Sequence, residues 1–116
     1  MTESIISFLK DIDDLENVKK LLENKAYLEI AKYLYFKQNG QPLPNELKNL
    51  SQVTTYKTLS AVSGIPVNEL EIKLGTQCGA IIFNQYMAKI EGHVVDGVEL
   101  HEIGLRYLRE SGLVTV

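Results

Sequence analysis

Cysteine is nearly absent from this chain, whose 116 residues include only Cys78. A single thiol excludes an intramolecular disulfide, and it cannot supply the several thiolates of a cysteine zinc site. No apolar run is longer than Ala80 to Phe83, whereas a membrane-spanning helix needs about 20 apolar residues. The first residues, Met1 to Ser4, contain no basic segment and no cleavage motif, so we expect a soluble, cytoplasmic protein without a membrane association.

The overall composition is that of an ordinary globular protein. Hydrophobic residues make up 45% of the chain, and the formal net charge is -3. A chain of 116 residues has the size of one independently folding unit, and a second core would be short of apolar side chains. We therefore predict a single domain over residues 1–116.

An amphipathic helix is predicted at the start of the chain. It begins with Thr2 as a potential N-cap and continues to Leu22, with a second cap offered by Asp13 and by Glu16 three residues later. Apolar side chains recur along it at steps of mostly three and four, at Ile5, Phe8, Leu9, Ile12, Leu15, Val18 and Leu22. One face of this helix should therefore be buried.

A second helix is predicted from Lys25 to Gln38, where Asn39-Gly40 ends it. Its buried face would carry Tyr27, Ile30, Ala31 and Leu34. Three further aromatic residues make the helix apolar nearly all round, namely Tyr33, Tyr35 and Phe36. Such a helix is expected between neighbouring elements or in a contact with another subunit.

A helix-turn-helix pattern follows the break that Pro42 and Pro44 introduce. The segment before this pattern contains two weaker signals. Residues Pro44 to Leu50 predict a short helix, and the β-branched and aromatic residues Val53 to Tyr56 predict a brief strand. Thr58 to Ser63 then predicts a helix, and Gly64-Ile65-Pro66 predicts a tight turn with a proline at the start of the next helix. The next helix has an apolar inner face formed by Val67, Leu70 and Leu74. Two helices joined by a short glycine-containing turn are the helix-turn-helix pattern.

The end of the second helix of this pair is open. Gly75 and Gly79 interrupt it, and each glycine costs about 1 kcal/mol relative to alanine inside a helix. The helix therefore ends near Gln77 or continues through Phe83. At helical spacing Cys78 lies on the apolar side of this segment, which predicts a buried thiol.

A β-hairpin and a last helix complete the predicted fold. The strand-like segments Tyr86 to Val95 and Val98 to Leu100 flank Asp96-Gly97, a dipeptide suited to a two-residue hairpin turn. A helix from Glu102 to Ser111 follows and ends at Gly112. We thus predict a mainly α protein with a small β-hairpin (α+β), comprising N-terminal helices over 1–40, a helix-turn-helix and hairpin over 53–101, and a C-terminal helix over 102–112.

Two segments resemble the winged helix-turn-helix superfamily of DNA-binding regulators, especially small archaeal and bacterial ones. Thr58-Leu-Ser-Ala-Val-Ser-Gly-Ile-Pro-Val-Asn-Glu-Leu70 is similar to the family's helix, turn and start of the recognition helix. Leu100-His-Glu-Ile-Gly-Leu-Arg-Tyr-Leu108 is similar to its segment after the wing, with Gly104 in place and His101 where the family usually has threonine. A weaker resemblance is to the winged-helix end of the PCI domain, a protein-interaction module. That likeness includes the strand-like run Ala88 to Glu91.

The resemblance implies a transcription regulator that inserts the helix from Pro66 to about Gln77 into the major groove of double-stranded DNA, with the hairpin touching the flanking backbone. The residues expected to contact DNA are Lys57, Asn68, Lys73, Thr76, Gln77, Lys89 and His93. A solvent-exposed helix face without a DNA role is the alternative interpretation. Residues 58–101 are net acidic, since Lys73 and Lys89 stand against Glu69, Glu71, Glu91, Asp96 and Glu99. That balance opposes contact with phosphates.

Three classes of function follow from these patterns. We expect a DNA-binding homodimer built from the helix Thr2 to Leu22 and the C-terminal helix, because so small a domain would not easily bury both apolar stripes alone. The alternative is a winged-helix protein-interaction module in a larger assembly, in which the aromatic residues of the second helix dock a partner.

An enzyme is not expected, because there is no nucleophile elbow, phosphate loop or metal-spaced ligand cluster, and we predict no cofactor. A positive stripe along the second helix of the pair would favour DNA, and an exposed aromatic patch without one would favour a protein.

Overall fold

The computed structural model describes residues 4–76 and 79–115. These ranges are mainly helical and contain one two-stranded antiparallel hairpin, which confirms the predicted α+β class. In chain order the elements are α1 (Ile5–Asp11), α2 (Leu15–Glu23), α3 (Lys25–Lys37), a 3-10 turn (Leu50–Gln52), α4 (Tyr56–Ser63), α5 (Val67–Gly75), α6 (Gly79–Ile82), β1 (Phe83–Ile90), β2 (His93–Leu100) and α7 (Glu102–Glu110).

The first predicted helix is in fact two helices. Asp13 adopts a left-handed backbone conformation, with φ of 60°, which interrupts the helical hydrogen bonds between α1 and α2. Ser4 caps α1, since its Oγ accepts the N–H of Ser7 at 3.4 Å, whereas the predicted cap Thr2 lies outside the described residues. The predicted second cap is also shifted by one position, because α2 begins after Asp14.

Helix α3 confirms the second predicted helix to within one residue. The Asn24 side chain caps it by accepting the N–H of Ala26 at 3.0 Å. It ends as the sequence indicates, because Asn39 and Gly40 both have positive φ, at 54° and 68°. Gln38, at the cap itself, is buried and bonds to the end of β2.

The segment between α3 and α4 differs from the prediction. The expected helix from Pro44 to Leu50 is wrong, because only Leu50–Gln52 forms a single 3-10 turn. The expected strand from Val53 to Tyr56 is wrong as well, because Thr55 is the N-cap of α4 and its Oγ1 accepts the N–H of Thr58 at 3.3 Å. One strand-like contact remains, from the Val98 N–H to the Thr54 carbonyl at 2.9 Å.

Helices α4 and α5 form the predicted pair with the predicted turn. Gly64 ends α4 with φ of 78°, and α5 begins directly after Pro66. Leu59, Leu70 and Leu74 are fully buried between the two helices and the rest of the core. Helix α5 then ends at Gly75, earlier than either alternative, and α6 is a separate turn.

Close packing around Gly79 explains why α6 is separate from α5. A Cβ at Gly79 would lie 2.9 Å from the Cα of Leu74, so the chain folds back onto α5 more tightly than any other residue type would permit. Gln77 and Cys78 lie outside the described residues, so the predicted burial of the thiol is not addressed by the fold.

The hairpin turn lies at Glu91-Gly92, so the prediction of a turn at Asp96-Gly97 is wrong. Glu91 and Gly92 have φ of 52° and 80°, the pair of positive values that a two-residue hairpin turn of this kind requires. Asp96 and Gly97 lie inside β2, where Gly97 is paired with Tyr86. Gly97 serves a different purpose there, because the Tyr86 ring lies directly over it.

The outer helices pack against each other within one chain. Glu110 of α7 accepts hydrogen bonds from Ser4 Oγ at 2.8 Å and from the Ile5 N–H at 3.0 Å. The apolar stripes of α1, α2 and α7 are buried in the common core through Ile5, Leu9, Val18, Leu22, Leu105 and Leu108. Phe8 and Ile12 of the same predicted stripe remain 36% and 44% exposed, so the expected homodimer stays a prediction. In the described ranges no helix has both the length and the apolar character needed to cross a membrane.

Candidate binding surfaces around helix α5

Six of the seven residues predicted to contact DNA lie in the described ranges, and all six are exposed. Lys57 is on α4, Asn68 and Lys73 are on α5, and Thr76 follows α5 directly. The hairpin carries the other two, Lys89 and His93, and Gln77 lies outside the described residues.

Two of the predicted cations line different cavities. Lys73 lines a cavity between α2, α3 and α5. Lys89 lines another cavity, of about 580 Å³, between the hairpin and the segment from Pro42 to Leu47.

A groove separates α5 from the hairpin. This α5–hairpin groove has a volume of about 740 Å³ and is lined by Tyr56, Glu71, Gln85, Tyr86, Met87 and Asp96. Gln85 connects its two sides, because its Nε2 donates to the Glu71 carbonyl at 3.4 Å. In a winged-helix protein bound to DNA, the second helix of the pair enters the major groove and the wing touches the flanking backbone.

The charge of the α5–hairpin groove is negative. Glu71 contributes one carboxylate from the helix and Asp96 contributes another from β2, and no cation is among the described lining residues. The pKa of Tyr56 is raised by burial and also by the charges of Glu71 and Asp96. Both observations indicate that this surface repels phosphate and attracts cations.

Three large apolar side chains are exposed on α5 and the hairpin, and one of them, Met87, lines the groove. Ile72, next to Glu71 on α5, is 69% exposed, and Met87 and Val94 on the hairpin are 76% and 66% exposed. Met87 pairs with Asp96 and Lys89 pairs with Val94, so both apolar side chains project from the same face of the hairpin. Sequence reasoning missed these residues, although Ile72 is half a turn away from the buried Leu70 and Leu74 and its exposure follows from helical spacing.

Tyr86 anchors the hairpin beside the groove. Its hydroxyl is buried and has no hydrogen-bond partner in the described part of the chain. Burial, with a smaller contribution from the charge of Glu99, raises the pKa of Tyr86 to about 12. The phenol therefore stays protonated and acts in packing, where its ring covers Gly97.

The aromatic patch expected on α3 is reduced to one side chain. Tyr35 is buried, and its ring packs edge-on against Phe36 at a centroid distance of 5.5 Å. Tyr33 is half-buried, and the Lys37 ammonium lies 5.9 Å from its ring centre. Only Phe36 is well exposed, at 60%, so the predicted docking patch of three aromatic residues is wrong.

The comparisons with known proteins identify no relative. No family model matches the chain, and no curated protein or solved structure matches it. The described residues also contain no group of three or more histidine, cysteine, aspartate or glutamate side chains placed to hold a metal ion.

Proposed function

We propose that this chain is a winged helix-turn-helix domain whose α5–hairpin groove binds a protein partner. The order of elements supports the fold assignment, since α3 is followed by the α4–turn–α5 unit, the hairpin and α7. The hydrogen bond from Val98 to Thr54 supports it further, because a winged helix carries a short third strand at that edge of the wing. The groove between the second helix and the wing is then its principal recognition surface.

The observation that carries the choice of a protein partner is the chemistry of the groove. Two carboxylates, Glu71 and Asp96, line an open groove together with the exposed apolar side chain of Met87. Ile72 and Val94 expose further apolar surface on the same two elements, α5 and the hairpin. Apolar residues at the centre of a contact supply binding energy, and complementary charges select the partner. The partner we propose is therefore a protein segment with apolar side chains flanked by lysine or arginine.

A peptide selection tests this proposal. Random peptides displayed on phage are selected on the wild-type protein and on the double variant Glu71→Lys, Asp96→Lys. We expect the wild type to enrich basic amphipathic peptides, and the charge-reversed variant to lose them. The substitution Met87→Asp, at the apolar residue that lines the groove, should weaken the best peptide by about tenfold or more, as expected for an apolar residue at the centre of an interface.

The matched control is Phe36→Asp, which introduces a charge on α3, outside the groove. This variant should bind the selected peptides as the wild type does. Peptides that bind the charge-reversed variant equally well, or that lose binding with Phe36→Asp, would contradict the proposal.

Binding of duplex DNA by a transcription regulator is the second candidate. It is favoured by the exposure of all six described residues of the predicted DNA-contact set, including Lys57, Lys89 and His93. Fluorescence anisotropy with a random duplex at several salt concentrations distinguishes the two candidates, because contacts with phosphates make affinity fall steeply with salt. If the groove binds protein, the duplex should not bind even at low salt.

Self-association through α1 and α7 stays a prediction. Two large apolar side chains at this end of the chain are exposed, Phe8 on α1 and Ile12 at the C-cap of α1. Sedimentation equilibrium of the wild type and of a Phe8→Ser, Ile12→Ser variant measures it directly, and a monomeric wild type would contradict the dimer.

A further inference from the structure

We propose that the cavity between α2, α3 and α5 is a binding site for the phosphate group of a small molecule. This α2–α3–α5 cavity has a volume of about 250 Å³ and is lined by Asn17, Lys20, Leu21, Asn24, Tyr27 and Lys73. Five of these six residues offer a polar group, and none is acidic. The cavity lies apart from the α5–hairpin groove and shares no lining residue with it.

Two lysines from separate helices converge on the cavity. Lys20 comes from the last turn of α2, and Lys73 comes from the last turn of α5. Within the described ranges neither ammonium forms an ion pair or a hydrogen bond. Both side chains are exposed, and a bound phosphate dianion would accept a charge-assisted contact from each of them.

Tyr27 adds an unused hydroxyl. Its side chain is 4% exposed and lines the cavity, yet the hydroxyl has no hydrogen-bond partner among the described residues. The pKa of Tyr27 is raised by burial and then by the charge of Glu69, so the phenol keeps its proton and remains a donor. The hydroxyl is open to solvent in the cavity, where it would donate to an oxygen of a bound phosphate.

Two asparagines complete the polar lining. Asn24 is the N-cap of α3 and also the C-cap of α2, so the positive end of one helix dipole meets the negative end of another there, and the dipoles add no net attraction for an anion. The Asn17 amide already donates one hydrogen bond to Asp14 Oδ1 at 3.3 Å, which leaves its second N–H as a donor. The two lysines and the Tyr27 hydroxyl are therefore the groups on which the proposal rests.

The size of the cavity limits the ligand. Its volume of about 250 Å³ is below the roughly 300 to 1,000 Å³ of sites for drug-sized molecules. The space suits a phosphate group with few additional atoms. Glu69, one turn before Lys73 on α5, does not line the cavity but would disfavour a larger anion that extends toward it.

The first experiment is a titration with inorganic phosphate, followed in ¹⁵N–¹H correlation spectra with chloride keeping the ionic strength constant. We expect saturable shifts at the amides of residues 24–27, 17–21 and 73, and no such shifts with chloride alone. The same spectra report whether each variant is folded. Shifts that do not saturate, or that spread over the whole chain, would overturn the proposal.

Substitutions at the cavity give the specific test. Lys20→Gln and Lys73→Gln should each weaken phosphate binding by about tenfold, as expected for the loss of a hydrogen bond to a charged group. Tyr27→Phe should weaken it by a smaller factor. Lys57→Gln, an exposed lysine on α4 outside the cavity, is the matched control and should bind phosphate as the wild type does.

A duplex DNA titration separates a small phosphorylated ligand from the DNA backbone. Shifts of the cavity amides with DNA and none with inorganic phosphate would overturn the proposal. The peptide selection on the α5–hairpin groove reads a different surface, so failure of one proposal leaves the other intact.

Discussion

Gln38 is a single side chain that connects two distant parts of the chain. Its Oε1 accepts the Leu100 N–H at 2.8 Å, and its Nε2 donates to the carbonyls of Leu100 at 3.3 Å and Gln41 at 3.2 Å. The side chain is buried, so water does not replace these partners easily. The primary amide thus makes the two hydrogen bonds to Leu100 that the backbone of a neighbouring strand would otherwise make.

Replacing Gln38 with leucine should lower the free energy of unfolding by about 2 to 4 kcal/mol. Leucine has a similar volume, but it leaves the buried N–H and C=O of Leu100 without partners, and each unsatisfied group costs about 1 to 3 kcal/mol. Urea denaturation measures the difference. Gln41→Leu, an exposed position three residues later, is the control and should change stability by less than about 0.5 kcal/mol.

The Tyr86 ring lies so close over Gly97 that it leaves no room for a side chain at this position. A Cβ at this position would lie 2.6 Å from the Tyr86 hydroxyl oxygen and 2.7 Å from Cε2. Gly97→Ala should therefore cost about 1 to 3 kcal/mol, the usual range for an extra methyl group in a packed site. In the background of Tyr86→Ala the same substitution should be nearly neutral. An equal cost in both backgrounds would show that the ring is not the cause.

At the scale of elements, the hairpin shows what sequence patterns leave open. The chain contains two dipeptides of the turn-forming type, Glu91-Gly92 and Asp96-Gly97, and the second has the more typical residues for a tight turn. The choice between them is made by packing. Strands that meet at Glu91-Gly92 place Phe83, Val98 and Leu100 together on the buried face. Local propensity therefore predicted the hairpin, and tertiary contacts determined its register.

Gly92→Ala tests the observed position of the turn. No atom lies within 4 Å of a Cβ built there, so the substitution acts only through the backbone, whose φ is 80°. We expect a loss of about 1 kcal/mol in unfolding free energy, since left-handed conformations disfavour alanine by about that amount. Glu91→Asn should have the opposite sign, because asparagine adopts positive φ more readily than glutamate. Thermal denaturation of both variants checks this pair of signs.

The sequence predicts which side of helix α5 is buried, but it does not predict which elements lie beside the other faces of the helix. The spacing of Leu70 and Leu74 is enough to define the buried side. The roles of the flanking residues depend on which elements lie beside them, and helical spacing carries no such information. Lys73, a residue predicted to contact DNA, lines the cavity beside α2 and α3 together with Lys20. Glu71, on the other side, faces the hairpin.

At the scale of the whole molecule, α1 and α7 are held together through Glu110. Burial raises the pKa of this carboxyl, but hydrogen bonds from Ser4 and from the backbone N–H groups of Ile5 and Ile6, with the charge of Arg106, lower it by more, so the net direction is downward. The contact joins residues more than 100 positions apart, and no local pattern predicts a pairing over that distance. From sequence alone, the outer helices are therefore predicted to contact a second copy of the chain.

The lowered pKa of Glu110 predicts how stability depends on pH. A carboxyl with a folded-state pKa below its ordinary value of 4.5 stabilises the protein above that value, and the stabilisation is lost as the pH falls through the folded-state pKa. Urea denaturation of the wild type and of Glu110→Gln should thus differ at pH 7 and converge below about pH 4.5. Glu29→Gln, exposed on α3, is the control and should show the same offset from the wild type at both pH values.

The hydrogen bond between Gln38 and Leu100 is also expected to affect the rate of unfolding. Its two ends are 62 residues apart, and it forms only when the end of α3 and the end of β2 are both in place. Loop closure over that distance favours a contact made after the folding transition state. Its loss should then leave the folding rate almost unchanged and accelerate unfolding. This one buried amide would thus set how long the folded molecule persists, rather than how fast it is reached.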